Sequence, residues 1–257
     1  MVHQAFGNLT AVEVYNFKKH YSILVEALDS QFRIDNFPCA PWIKKLLNYN
    51  VPHGKQLRGL FVPMTVKCFD NQPKNELMEQ AYVLGWCIEM FQAFCLVADD
   101  IMDRSETRRG QPCWYRVDDI GVLAVNDSFL IEHTLYRILA KHFGTHPRYA
   151  NFLDLFLETS YKTVLGQCLD TETERNRQNP ECYSMERYKK IVEFKTSYYT
   201  IYLPMAVAVI LLKNNDKHDL LKKVEDVAKV LDSFPDTRNE LFGLLWKWKL
   251  VNWQSRN

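Results

Sequence analysis

Carboxylates and guanidinium groups crowd together in one short stretch, Leu96-Val-Ala-Asp-Asp-Ile-Met-Asp-Arg-Ser-Glu-Thr-Arg-Arg-Gly110. Asp99, Asp100 and Asp103 close a long apolar segment, and Arg108 and Arg109 follow it. At about 100° of helical rotation per residue, Asp99 and Asp103 share a face with Asp100 beside them. Neighbouring carboxylates repel one another, and the C-terminal part of a helix disfavours negative charge. A hard divalent cation relieves both problems. Mg²⁺ commonly takes one or two carboxylates together with phosphate oxygens, and guanidinium groups match the same phosphate with paired N–H donors. The stretch therefore reads as a metal–diphosphate site. A solvated acidic helix end paired with its own arginines is the competing reading, and spacing alone does not separate the two.

Three further groups fit anion or cation chemistry. Gly54-Lys-Gln-Leu-Arg-Gly59 places Lys55 and Arg58 three residues apart. On a helix they share one face, near a start whose free N–H groups also favour an anion. An exposed basic turn is the alternative. Gly166-Gln-Cys-Leu-Asp170 sets Gln167 and Asp170 on one face of a mostly apolar helix, where a capping carboxylate is the plainer reading. Lys195 interrupts the aromatic run Phe194-Lys-Thr-Ser-Tyr-Tyr199. A buried lysine needs a counter-anion to keep its charge, whereas a lysine at the bundle surface only snorkels.

Helices must position these groups. Apolar residues recur at helical spacing from Thr10 to Asp29, with Val14, Phe17, Tyr21, Leu24, Val25 and Leu28 on one face. Further helices are expected over Trp42–Leu47, Gly54–Phe69, Asn75–Met102, Asp118–Phe143, Pro147–Glu172, Ser184–Leu212, Asp219–Leu231 and Arg238–Trp253. Between Ala81 and Ala98 only Glu89 and Gln92 are strongly polar, so the central helix is a buried one. The expectation is an all-α single domain over residues 1–257.

Composition narrows the function classes. The 257 residues are 47% hydrophobic, enough for one large core. The net charge of +1 gives no pull toward nucleic acid or an anionic membrane. No apolar run reaches the length of a membrane span, the longest candidate, Tyr198–Leu212, being interrupted by Pro204. Seven cysteines are scattered without a Cys-x-x-Cys pair, and Cys87, Cys95 and Cys168 sit in apolar runs, as buried free thiols do. The N-terminus has no charged-then-apolar layout, so a cytoplasmic location is expected.

The acidic stretch and its flanks, Phe91-Gln-Ala-Phe94 before it and Thr107-Arg-Arg-Gly-Gln-Pro-Cys-Trp-Tyr115 after it, resemble the first aspartate-rich motif of the trans-prenyltransferase family, most closely its farnesyl diphosphate synthases. The resemblance covers roughly Tyr15 to Pro204. It implies an isoprenoid-synthase-type helical bundle, Mg²⁺ as cofactor and condensation of isopentenyl diphosphate with dimethylallyl or geranyl diphosphate. On the matching residues, Asp99, Asp100, Asp103 and Asp170 would handle metal. Arg108, Lys195 and Thr196 would hold the allylic diphosphate and carry catalysis. Lys55, Arg58, Gln92 and Arg109 would hold isopentenyl diphosphate. Phe94 and Cys95 would floor the product pocket, where the family's animal-type members commonly have two phenylalanines, so the smaller Cys95 deepens it. A homodimer, or a pairing with a full-length synthase, is implied as the assembly.

The sequence departs from the family pattern in three places. His53 stands where glycine is usual, and Leu57 where asparagine is usual. The family's second aspartate-rich motif has no full counterpart. Val227-Ala-Lys-Val-Leu-Asp-Ser-Phe-Pro-Asp236 keeps only Asp232 and Asp236, and Pro235 breaks a helix. The part beyond about 213, including the Trp- and Lys-rich Leu241–Leu250, is expected to be missing or replaced family sequence. Two rivals to the synthase follow: a non-catalytic homologue that binds prenyl diphosphates or modulates a full-length synthase, and a terpene synthase, against which the intact Gly-Lys-x-x-Arg element argues.

Overall fold

A 28-residue helix, Asn75–Met102 (α4), runs through the middle of the protein and has the bounds its sequence pattern predicts. The computed structural model describes residues 9–176, 178–179, 183–212 and 217–232. α4 is buried almost continuously from Ala81 to Phe94. Around it lie α1 (Ala11–Ile34), α2 (Ala40–Asn50), α3 (Leu57–Phe69), α5 (Ala124–Phe143), α6 (Tyr149–Arg175) and α8 (Leu203–Leu211), with α7 (Met185–Ile191) and α9 (Lys217–Asp232) completing the bundle. The fold is all-α apart from a two-stranded hairpin, β1 (Thr107–Arg108) and β2 (Gln111–Pro112).

Local chemistry explains the bounds. Thr10 and Glu13 form a reciprocal capping box at the start of α1. The predicted face of α1 is the buried one, with Phe17, Tyr21, Leu24, Val25 and Leu28 all inside. Phe17 stacks on Trp86 of α4 with ring centroids 4.7 Å apart, and the Trp86 indole donates to the Phe17 carbonyl at 2.7 Å. Such a pair adds about 0.5–1.5 kcal/mol beyond area burial. α3 crosses α4 at Gly59 and Gly85, where a Cβ on either residue would overlap the other's carbonyl oxygen. Only glycine allows this approach, which fixes Arg58 close to α4.

Several expectations need correction. The segment Gly54–Gln56 is not helical: Gln56 adopts a left-handed backbone at φ 53°, so α3 starts only at Leu57. Lys55 and Arg58 therefore do not share a helical face. Residues 118–123 form turns and a short 3₁₀ segment, and α5 begins at Ala124. The helix expected over Ser184–Leu212 is α7, a π-helical segment (Val192–Tyr202) and α8 in succession. Cys168 is exposed rather than buried. Two helical stretches, Asn75–Met102 and Met185–Leu211, are long and apolar enough to cross a membrane, contrary to expectation. Their most apolar windows are 78% and 72% buried inside the protein, as core helices are. Asp236 and the helix expected over Arg238–Trp253 lie outside the described residues.

Candidate active site

The acidic cluster forms where α4 ends. Asp100 is buried, and its Oδ1 accepts from Arg108 through Nε at 3.0 Å and through a closer Nη2 contact. That bond raises the Arg108 pKa above its ordinary value. Asp99 lies 3.6 Å from the same Nη2 through Oδ2 and 3.0 Å from Lys195 Nζ through Oδ1. Lys195 also donates to Asp170 Oδ2 at 2.5 Å. Its ammonium thus joins a carboxylate of α4 to a carboxylate of α6. Burial works to lower the Lys195 pKa, but the bond to Asp170 and the carboxylate charges of Asp99 and Asp170 outweigh it and raise the value. Asp103 caps α4 and is exposed. Partial burial and the nearby Asp99 and Asp170 raise its pKa.

A glycine makes the lysine's placement possible. Gly166 of α6 lies directly against the backbone of Lys195, and a Cβ there would overlap the Lys195 backbone nitrogen. Asp170 is one turn further along α6, where it meets the ammonium. Gln167, predicted on the same face as Asp170, does turn toward the end of α4, its Nε2 lying 3.9 Å from Met102 Sδ.

The residues fit a hard cation. Two carboxylates from different helices already share one positive charge, and the buried Asp99 Oδ1 has no hydrogen-bond partner, although the ammonium is within ion-pair range. As arranged here, no three His, Cys, Asp or Glu side chains among the described residues converge on a single point. Lys195 and Arg108 neutralise the cluster instead.

A cationic cluster forms at the start of α3. Arg58 donates to Gln92 Oε1 at 3.1 Å and to Thr200 Oγ1 at 2.9 Å, and its guanidinium lies 4.9 Å from the centre of the Tyr199 ring. Gln92 is buried, and Arg58 satisfies part of its amide, as a buried amide requires. Lys55 is exposed in the loop before α3. The His53 ring bonds to the Asn48 carbonyl at 3.1 Å, away from any anion role. Arg109 arrives from the hairpin. Arg109 and Gly110 are its two turn residues, with φ 55° and 80°, which is the pattern of a tight type I′ turn. A left-handed arginine is strained, and such strain gathers at functional sites. The Arg109 side chain lies against Gly54, whose φ of 98° and missing Cβ leave room for it. The hairpin is pinned by Tyr49 Oη donating to the Pro112 carbonyl at 2.8 Å and by Trp114, whose indole donates to the buried Asp127 at 2.8 Å.

Beneath this cluster lies Glu89, to which the sequence reading assigns no role. It is 2% exposed, and its Oε1 accepts from the Gly59 N–H at 2.7 Å. Burial raises its pKa, while Gly59, Arg58 and Arg109 pull the other way. Thr200 and Tyr199 also escaped the sequence reading. The signal for Glu89 was visible, an unexplained acid in an apolar helix; Tyr199 and Thr200 carried none.

Phe94 and Cys95 face different surroundings. Phe94 is buried edge-on to Phe91 at 5.0 Å, and its carbonyl accepts from Ser128. Cys95 sits one turn before Asp99, and burial, with Glu132 and Asp99 nearby, raises its thiol pKa. Glu132, bonded to Ser160 at 2.9 Å, and the buried, unpartnered hydroxyl of Tyr136 make this side more polar than a hydrocarbon pocket requires. Thr196 is half-buried, next to Lys195 on the π-helical segment.

Comparison with known proteins decides the family. The polyprenyl synthetase profile matches residues 40–231. The chain belongs to the polyprenyl synthetase family. Among its relatives, the farnesyl pyrophosphate synthase of Candida albicans is 44% identical over 218 residues, covering 82% of this chain and 62% of that protein. The chloroplastic bifunctional chrysanthemol synthase of Tanacetum cinerariifolium is 37% identical over 246 residues, 92% of this chain and 61% of that protein. The solved farnesyl diphosphate synthase of T. brucei superimposes with a TM-score of 0.76 at 28% identity, over 86% of this chain and 68% of that one. This polyprenyl synthetase chain thus spans about three fifths of the length of these curated relatives.

Proposed function

We propose that this chain condenses isopentenyl diphosphate with dimethylallyl or geranyl diphosphate to give farnesyl diphosphate or a related prenyl diphosphate. The observation that carries the reading is the bridge of Lys195 between Asp99 and Asp170, with Thr200 of the same π-helical segment joining Arg58 of α3 and Gln92 of α4 in the second cluster. In this reading Asp99, Asp103 and Asp170, with Asp100 beside them, would hold Mg²⁺, which would supply Lewis-acid stabilisation of the leaving diphosphate. Lys195 and Arg108 then turn from the carboxylates to the diphosphate oxygens, with Thr196 beside them as a further donor. Arg58, Arg109, Gln92 and Lys55 fix the diphosphate of the second substrate. Departure of the allylic diphosphate leaves an allylic cation, which the isopentenyl double bond attacks before a proton is lost to the released diphosphate. The buried wall of α4 keeps water from the cation.

A homodimer belongs to the same proposal and is supported by the exposed apolar residues Val122, just before α5, and Val125 and Phe129 in its first turns. A pairing with a longer synthase would use the same face. A cytoplasmic location is supported by the six described cysteines, all free thiols. A second reading is binding without turnover, as a modulatory partner. It is favoured by the lack of three converging metal-ligating side chains among the described residues.

The deciding experiment is a product assay with Mg²⁺, labelled isopentenyl diphosphate and each allylic diphosphate. Label in longer prenyl diphosphates is expected. Folded protein that binds isopentenyl diphosphate yet transfers no label would leave the second reading standing. In the same assay Cys95→Phe is expected to shorten the product; an unchanged distribution would remove Cys95 from the pocket.

A further inference from the structure

Glu89 is the one fully buried carboxylate of α4 that lies beside the cationic cluster and apart from the acidic one. Three observations define its position. Its Oε1 is held by the N–H of Gly59, the third residue of α3, at 2.7 Å. Its Cγ lies so close to Gly59 that any side chain there would collide with it. Gln92, the acceptor for Arg58, stands about one turn further along α4 on the same face as Glu89, and the charges of Arg58 and Arg109 work against the larger, pKa-raising effect of burial on Glu89. Arg109 needs such a neighbour: partial burial and the positive charges of Arg58 and Arg108 lower its pKa, and Glu89 is the anion that opposes them. Its backbone is strained as well. Among the described residues, Arg58 bonds to and stacks on neutral groups, Gln92, Thr200 and the Tyr199 ring. Without a negative charge beneath them, two guanidinium groups would be held close together with nothing to offset their repulsion until a ligand arrives.

Resting on the reading of this cluster as a diphosphate pocket, we propose that Glu89 is a positioning residue: a buried counter-charge that holds Arg58 and Arg109 in place for the diphosphate of isopentenyl diphosphate, and that makes no contact with the substrate itself. The alternative is a neutral acceptor that only caps α3. The two roles separate cleanly because glutamine keeps the acceptor for the Gly59 N–H and removes the charge.

The test is direct binding of isopentenyl diphosphate by calorimetry, without metal, to the full chain. Glu89→Gln should weaken binding about tenfold, the size of effect that one charge interaction supports. Mn²⁺ binding at the acidic cluster should stay unchanged. Unchanged affinity for isopentenyl diphosphate would overturn the proposal and leave Glu89 as a cap. An equal loss of Mn²⁺ binding would overturn it too, since that marks general damage. In an Arg109→Met background, Glu89→Gln should have much less further effect; a full tenfold loss there would show that Glu89 does not act through Arg109. Glu89→Asp keeps the charge and gives up the bond to Gly59, and it serves should the glutamine variant not fold. Affinity within about threefold of wild type is expected, and a tenfold loss would overturn the proposal. Failure of the wild-type chain to bind isopentenyl diphosphate at all would instead refute the pocket reading.

Discussion

Near the end of α4 three carboxylates, Asp99, Asp100 and Asp170, are paired with cations from the hairpin and the π-helical segment. At the start of α3 the arrangement is reversed: Arg58 and Arg109 gather, and one carboxylate lies beneath them. The neutralising groups differ in kind. Lys195 and Arg108 are long, partly exposed side chains that can swing to another anion. Glu89 is buried and fixed by the Gly59 N–H. On the proposed function, the acidic cluster would exchange its counter-charges when a cation arrives. The cationic cluster is built to keep its own. Such a division suits one site that must assemble around a metal and another that must only receive a diphosphate.

The comparison can be broken at several points. Asp99→Ala removes the carboxylate shared by Lys195 and Arg108, and it should cut Mg²⁺-dependent binding of allylic diphosphate by about a thousandfold. Unchanged affinity would end the metal assignment. Gly166→Ala drives a methyl group into the Lys195 backbone, and it should cost about 1–3 kcal/mol of stability in thermal or denaturant unfolding. A wild-type melting curve would show that the α6 contact yields freely. Lys195→Met removes the internal counter-charge, so Mn²⁺ should bind about tenfold more tightly in the absence of diphosphate, read by the loss of free-ion signal in electron paramagnetic resonance. Equal affinities would mean that the lysine does not compete with metal.

The smallest effect concerns Asp103. Its folded-state pKa is raised by burial and by Asp99 and Asp170, so its contribution favours folding at low pH and is lost as pH rises through the raised value. Asp103→Asn should thus raise the melting temperature slightly at pH 7 and leave it unchanged at pH 3. The reverse ordering would show that Lys195 and Arg108 dominate its environment.

The helices were legible because their apolar residues recur at helical spacing, and α4 was legible to the residue. The acidic stretch was also readable, since carboxylates ending an apolar helix are conspicuous. What escaped depends on backbone states that side-chain patterns do not encode. Gln56 is left-handed although nothing in its type demands it, and this takes Lys55 off the helix. The hairpin that carries Arg108 and Arg109 is only a few residues long, too short for alternation to show. Nothing in the residue pattern marks 192–202 as leaving the α-helical winding, because the apolar residues there fit either one. The role of Glu89 is not legible in the sequence, since its partners come from α3 and the hairpin, both distant in sequence.

The π-helical segment has a further consequence. Lys195 reaches the acidic cluster and Thr200 the cationic one, five residues apart. In an α-helix that spacing puts two side chains about 140° out of phase. The wider i→i+5 winding turns roughly 80° per residue, which brings them to within about 50°. The segment thus works as a crankshaft with two throws set nearly in line. Rewinding it to α-helix at the same length would turn one throw away by about a quarter of a revolution and put the two clusters out of time with each other.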